Sequence, residues 1–131
     1  LIIVQGTPRF DRFSGGMRLN INQIWDLPMA RCRFGKYLRA ELALGAGAQG
    51  PQLASLLKDH APQREVLETG EEIRHGLPVH LHMHVQHTGL GDGEAVVGEL
   101  NLGEASKFFP SDAAMASWAA LVAADKVAVV Y

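Results

Sequence analysis

A single cysteine, Cys32, rules out an internal disulfide, so the chain must hold together by packing alone, as expected of a protein from a reducing cytoplasm. Apolar runs are short. None approaches the roughly 18 residues of a membrane-crossing helix, and no basic-then-apolar leader opens the chain, so a soluble globular piece is expected. Aromatic residues make up only 7% of the sequence. With 131 residues, 47% of them apolar and 20% charged, the chain can nonetheless bury one real core and has no mark of a disordered or fibrous protein. No repeat or low-complexity tract is present. Leu1 to Val4 already reads as strand interior, so a piece of a longer protein is expected.

The net charge of −2 hides a division. Residues 1 to 39 carry seven basic groups against Asp11 and Asp26, a net of +5, whereas the remainder carries five basic and twelve acidic groups, a net of −7. One part can approach an anion and the other repels it.

The chain begins with a hairpin. Leu1 to Phe10 is apolar and β-branched, Phe13 to Gly16 is turn chemistry, and Met17 to Trp25 resumes with Met17, Leu19 and Ile21 alternating against Arg18, Asn20 and Asn22. A lone hairpin is marginal in water, so these strands are expected to complete a larger sheet in a longer chain or by pairing with a second copy. Asp26 as N-cap and Pro28 in the first turn predict a connecting helix from about Leu27 to Lys36.

A second module starts at Leu38. Leu38, Ala40, Leu42 and Leu44 alternate with polar and small residues in a strand, and Gly45 to Gly50 is a loop. Pro51 opens a helix with Leu53, Leu56 and Leu57 on one face. Residues 61–75, APQREVLETGEEIRH, are long and polar for a connection and read as a loop or short irregular segment. A strand from Leu77 to Val85, the turn TGLGDG and a strand from Glu94 to Leu102 make a second hairpin. Ser111 then caps a helix with Met115, Trp118, Ala119 and Val122 on one face, and Lys126 to Tyr131 is the last strand. The class is α+β, and the order β-α-β-β-α-β over 38–131 is that of a ferredoxin-like split domain, preceded by a hairpin over 1–26 and a linking helix over 27–37.

In LPVHLHMHV the period of two puts Val79, Leu81, Met83 and Val85 on one strand face and His80, His82 and His84 on the other. Three accounts compete. HLHMHVQ resembles the signature of histidine-triad nucleotide hydrolases and transferases, which implies His82 as nucleophile assisted by His80 and His84, although Gln86 stands where that signature has an apolar residue. A zinc site is the second, but side chains two apart on a strand lie roughly 6.5 to 7 Å apart, so three reach one ion only with strain. The third is the wetter face of a half-buried strand, with no metal and no catalytic role.

Other catalytic patterns are missing. GAGAQG lacks the Lys-Ser/Thr of a phosphate loop, Ser14 sits in a hairpin turn rather than a strand-to-helix elbow, and Glu65, Glu68, Glu71 and Glu72 read as a solvated loop.

One resemblance spans the chain. LIIVQGTPRFDRFSGGMRLNINQIWDLPMARCRFGKYL, with its FD-x-FSGG turn and D-L-x-x-A-R helix start, resembles the C-terminal region of the α subunit of bacterial DNA polymerase III, and GLPVHLHMHV, FFPSDAAMASWAALV and VAVVY follow in that family's order. The resemblance implies that residues 1–26 are the last strands of an OB-fold module associated with single-stranded DNA, with Arg9, Arg12 and Arg18 as phosphate contacts and Phe10 or Phe13 as stacking groups. It implies that residues 38–131 dock the τ subunit of the clamp loader in the cytoplasm, that the carboxylates of nucleotidyl transfer lie upstream, and that this piece needs no cofactor. Phe108, Phe109, Val129 and Tyr131 are the expected docking residues.

Overall fold

The computed structural model describes residues 1–43, 49–86 and 95–131. The Gly45 to Gly50 loop, apart from its last two residues, the end of the preceding strand at Leu44, the TGLGDG turn and the start of the following strand at Glu94 lie outside them.

Strands β1 (Ile2–Asp11) and β2 (Gly16–Asp26) form an antiparallel ribbon that pairs with no other strand among the described residues. The turn between them is held by Asp11, whose carboxylate accepts from the Ser14 hydroxyl at 2.7 Å and the Phe13 N–H at 3.1 Å. These bonds, the Ser14 hydroxyl foremost, keep its carboxyl below the usual range. The register slips between Gln5 and Gly6, where Asn22 is the extra residue of a bulge. Gly6 is obligatory at this crossing, because a Cβ there would overlap the Asn20 carbonyl oxygen.

Helix α1 (Leu27–Phe34) begins as the capping chemistry predicts, with the Asp26 carboxylate accepting from the Met29 N–H at 2.8 Å. It leans on the ribbon through an edge-on contact of Trp25 and Phe34, ring centroids 5.3 Å apart. Arg31 ties it forward, donating to the Pro110 carbonyl at 2.9 Å and the Asp112 carboxylate at 2.7 Å. The basic first part of the chain thus meets the acidic second part at a specific seam.

The second part is a four-stranded sheet with two helices on one face. Its strands are β3 (Tyr37–Ala43), β6 (Val79–Gln86), β7 (Ala95–Asn101) and β8 (Val127–Val130); helices α2 (Gln49–Asp59) and α3 (Asp112–Val122) connect and cover them. Leu38, Ala40, Leu42, Val79 and Leu81 alternate inward, as their spacing requires, against Leu56, Phe108, Ala114, Trp118 and Val122. Phe108 and Trp118 meet edge to face at 5.7 Å, both fully enclosed. Ser111 caps α3 as expected, its hydroxyl accepting from the Ala114 N–H at 3.1 Å.

Two expectations need correction. The polar stretch 61–75 is not irregular: β4 (Gln63–Val66) and β5 (Glu72–His75) form an antiparallel hairpin whose turn uses Gly70 at φ +83°. The sheet order is β7-β6-β3-β8, so the parallel strands β3 and β6 are immediate neighbours and the β-α-β unit is not split, unlike the ferredoxin-like arrangement. The difference lies at the inner edge of β3, which β6 takes where the split order would put β7; β8 lies antiparallel on the outer edge, as it would in either order. The α+β class stands. No helix among the described residues is long and apolar enough to cross a membrane.

Candidate functional site

Pairing across the ribbon fixes what each face carries, because opposed residues share a face. On one face Ile2, Val4, Pro8 and Phe10 of β1 join Met17, Leu19, Ile21 and Ile24 of β2, the bulge at Asn22 bringing Ile24 into phase. The seven large side chains of this set remain between 39% and 68% exposed. The other face carries Thr7, Arg9 and Asp11 opposite Asn20, Arg18 and Gly16, then Gln5 opposite Gln23 and Ile3 opposite Trp25. Arg9 and Arg18 are therefore directly opposed, and Arg18 is held by Asp11 at 2.7 Å.

This geometry sorts the expected DNA contacts. Arg9 and Arg18 share the polar face, and Arg12 is exposed in the turn. Phe10 belongs to the apolar face, away from the arginines, and Phe13 stands fully exposed in the turn. Phe10 is thus excluded as a stacking partner on the arginine face, because alternation places it opposite Met17. Trp25, which sequence reasoning missed, lies on that face instead; its spacing from Arg18 reads as the wrong parity until the bulge at Asn22 is counted.

Where the polar face meets α1 and the β4–β5 hairpin, Gln23, Trp25, Met29, Cys32, Arg33, Glu65, Ile73 and His75 line a cavity of about 450 Å³. His75 Nε2 lies 2.6 Å from Glu65 Oε2. Burial, with a smaller push from the Asp26 carboxylate, raises the Cys32 thiol to about 11. A neutral, half-buried thiol is a poor nucleophile. Cys32 is expected to react with iodoacetamide at neutral pH about 100-fold more slowly than an unperturbed cysteine, the ratio of thiolate populations for a two-unit rise, and a rate equal to that of the denatured chain would refute the burial.

The histidines lie in a row on the sheet face opposite the helices. His80 is opposed by Arg39 and Asn101, and His82 by Glu41 and Glu99. The His80 ring stacks on Tyr37 with centroids 3.8 Å apart. Its Nδ1 lies 3.4 Å from Glu99 Oε1 without forming a hydrogen bond. Glu41 gathers His84 at 3.6 Å, Lys126 at 3.5 Å and Arg39 at 3.8 Å. The imidazoles follow one face of the strand, and the carboxylates of Glu41 and Glu99 stand on the residues directly opposite His82. Among the described residues no group of three His, Cys, Asp or Glu is placed to hold a metal ion.

A Ser-His pair lines a groove of about 530 Å³ between α2 and α3, with His60 Nε2 3.3 Å from Ser117 Oγ. The Ser117 hydroxyl donates to the Ala113 carbonyl at 3.0 Å, so toward His60 it is an acceptor. That polarity is opposite to the one a nucleophile and its base require.

Of the expected docking residues, Phe108 is enclosed in the core, where it pairs with Trp118, and its ring offers no surface. Val129 packs against the core from β8 and Phe109 is half-buried. Tyr131 is 62% exposed beside β8, one of the two edge strands of the four-stranded sheet.

Comparison of the chain with models of known protein families, with curated proteins and with solved structures found no match.

Proposed function

We propose that this chain is the C-terminal, non-catalytic region of a cytoplasmic bacterial DNA polymerase III α subunit. In this reading residues 1–26 are closing strands of an OB-type module lying along single-stranded DNA, and residues 38–131 dock the τ subunit of the clamp loader. Nucleotidyl transfer, with its metal-binding carboxylates, belongs to upstream sequence of the parent chain.

The carrying observation is the two-faced ribbon. A strand pair that ends a barrel needs an apolar face for the barrel interior and a polar face outside, and β1–β2 has both, with the apolar set open. The order of the FD-x-FSGG turn, the D-L-x-x-A-R helix start and the PSDAAM helix start supports the family. An acidic second part repels phosphate and so favours a protein partner over DNA.

Docking is assigned to the free edge of β8 and to Tyr131, with Phe109 nearby in sequence to the α3 cap. An unpaired strand edge offers backbone donors and acceptors to an incoming segment, and an exposed tyrosine supplies an anchor at low entropic cost. Calorimetric titration of the folded chain with the τ subunit is expected to show saturable binding that Tyr131→Ala weakens about tenfold or more. A folded chain that takes up no τ would sink the reading.

A further inference from the structure

We infer that the arginine face of the ribbon and the cavity at its foot form one track for single-stranded DNA, in which Trp25 and Arg33 hold a nucleotide. The inference rests on the proposed function only in taking the ribbon as the element that faces DNA.

Its first support is the opposed pair Arg9 and Arg18. Like charges directly across an antiparallel pair destabilise it. Asp11 offsets Arg18, but among the described residues no carboxylate lies within ion-pair distance of Arg9. A phosphate between the two guanidinium groups removes the repulsion and accepts hydrogen bonds from both.

The second support is continuity. From Arg9 the same face runs through Thr7 and Asn20 to Gln5 and Gln23, about 20 Å of ribbon without a carboxylate, before reaching Trp25. Gln23 and Trp25 are also cavity walls, so the track opens into the cavity rather than ending beside it.

The third support is what the cavity offers. Its volume of about 450 Å³ lies in the range of small-ligand sites. Trp25, braced edge-on by Phe34, gives a flat apolar wall with Met29 and Ile73 beside it, while Gln23 and the His75–Glu65 pair give donors and acceptors for a base edge. Arg33 is exposed at the rim, and among the described residues it too lacks a carboxylate partner. A base against Trp25 with its phosphate on Arg33 uses each of these groups in its ordinary chemistry.

The test is titration of the folded 131-residue chain with fluorescein-labelled oligothymidylate at low salt, read by anisotropy and by tryptophan emission. Trp118 is enclosed, so quenching reports Trp25. Anisotropy and quenching are expected to saturate together. Arg33→Ala should weaken binding severalfold and reduce the slope of log affinity against log salt by about one, and Trp25→Leu should weaken it fivefold or more. Because Trp25 also braces α1, Arg33→Ala is the deciding variant, and Phe10→Ala on the other face should change nothing. If the oligonucleotide binds and Arg9→Ala weakens it while Trp25 emission stays constant and Arg33→Ala behaves as the parent, the nucleotide site in the cavity is refuted and the DNA-facing ribbon survives. If the folded chain binds no oligonucleotide, both fall.

Discussion

Replacing Trp118 with alanine is expected to cost about 3 to 5 kcal/mol, enough to unfold much of residues 38–131 at ambient temperature. Trp118 is the largest enclosed side chain and touches the core from α3, where it meets Phe108. The buried cluster it belongs to includes Leu38, Val79 and Leu77, held on strands and on the bridge between Leu77 and Phe108, so the core cannot simply collapse into the space left. Its indole N–H has no acceptor among the described residues, which costs roughly 1 to 3 kcal/mol and is recovered on truncation, so the lower half of the range is the better expectation. Urea unfolding followed by circular dichroism measures the difference. A loss below 1 kcal/mol would mean that α3 does not pack as described.

The second large effect depends on what covers the ribbon. Leu19→Ser with Ile21→Ser is expected to leave the stability of the 131-residue chain within about 1 kcal/mol, because both side chains are already half exposed. In a longer chain whose added strands close over that face, the same pair is expected to cost about 3 kcal/mol or more, the burial free energy of two large aliphatic groups. Thermal unfolding of the two lengths compares them. Equal small losses in both would remove the barrel from the proposal. A second copy covering the face would instead give a concentration-dependent loss in the short chain, visible by sedimentation.

Sequence alone reached the features set by neighbouring residues. The Asp26 and Ser111 caps, the FSGG turn and the inward alternation of Leu38, Ala40, Val79 and Leu81 each need only a short window, and each is where it was read. The β4–β5 hairpin escaped because its strands, QREV and EIRH, hold only Val66 and Ile73 as apolar members, too few to make a period. Its one local sign was the Thr69-Gly70 turn. Sheet order escaped for a different reason: pairing β3 with β6 or with another strand changes no local pattern, since every candidate strand alternates. Phe108 is written like a surface aromatic before a helix, and only the bridge it makes with Leu77 turns it inward. The cavity was out of reach because Trp25, Arg33 and His75 come from three elements whose approach is tertiary.

The junction of β3 with β8 has a consequence for biosynthesis. Lys36 donates to the Tyr131 carbonyl at 2.9 Å across 95 residues, and Tyr37 pairs with Val130. A ribosome making this chain must therefore reach Val127–Val130 before the outer edge of β3 is capped, and until then that edge stays unpaired even with β6 on the other side. Nascent chains halted before Val127 should consequently be favoured clients of holding chaperones, and released ones should be prone to clump.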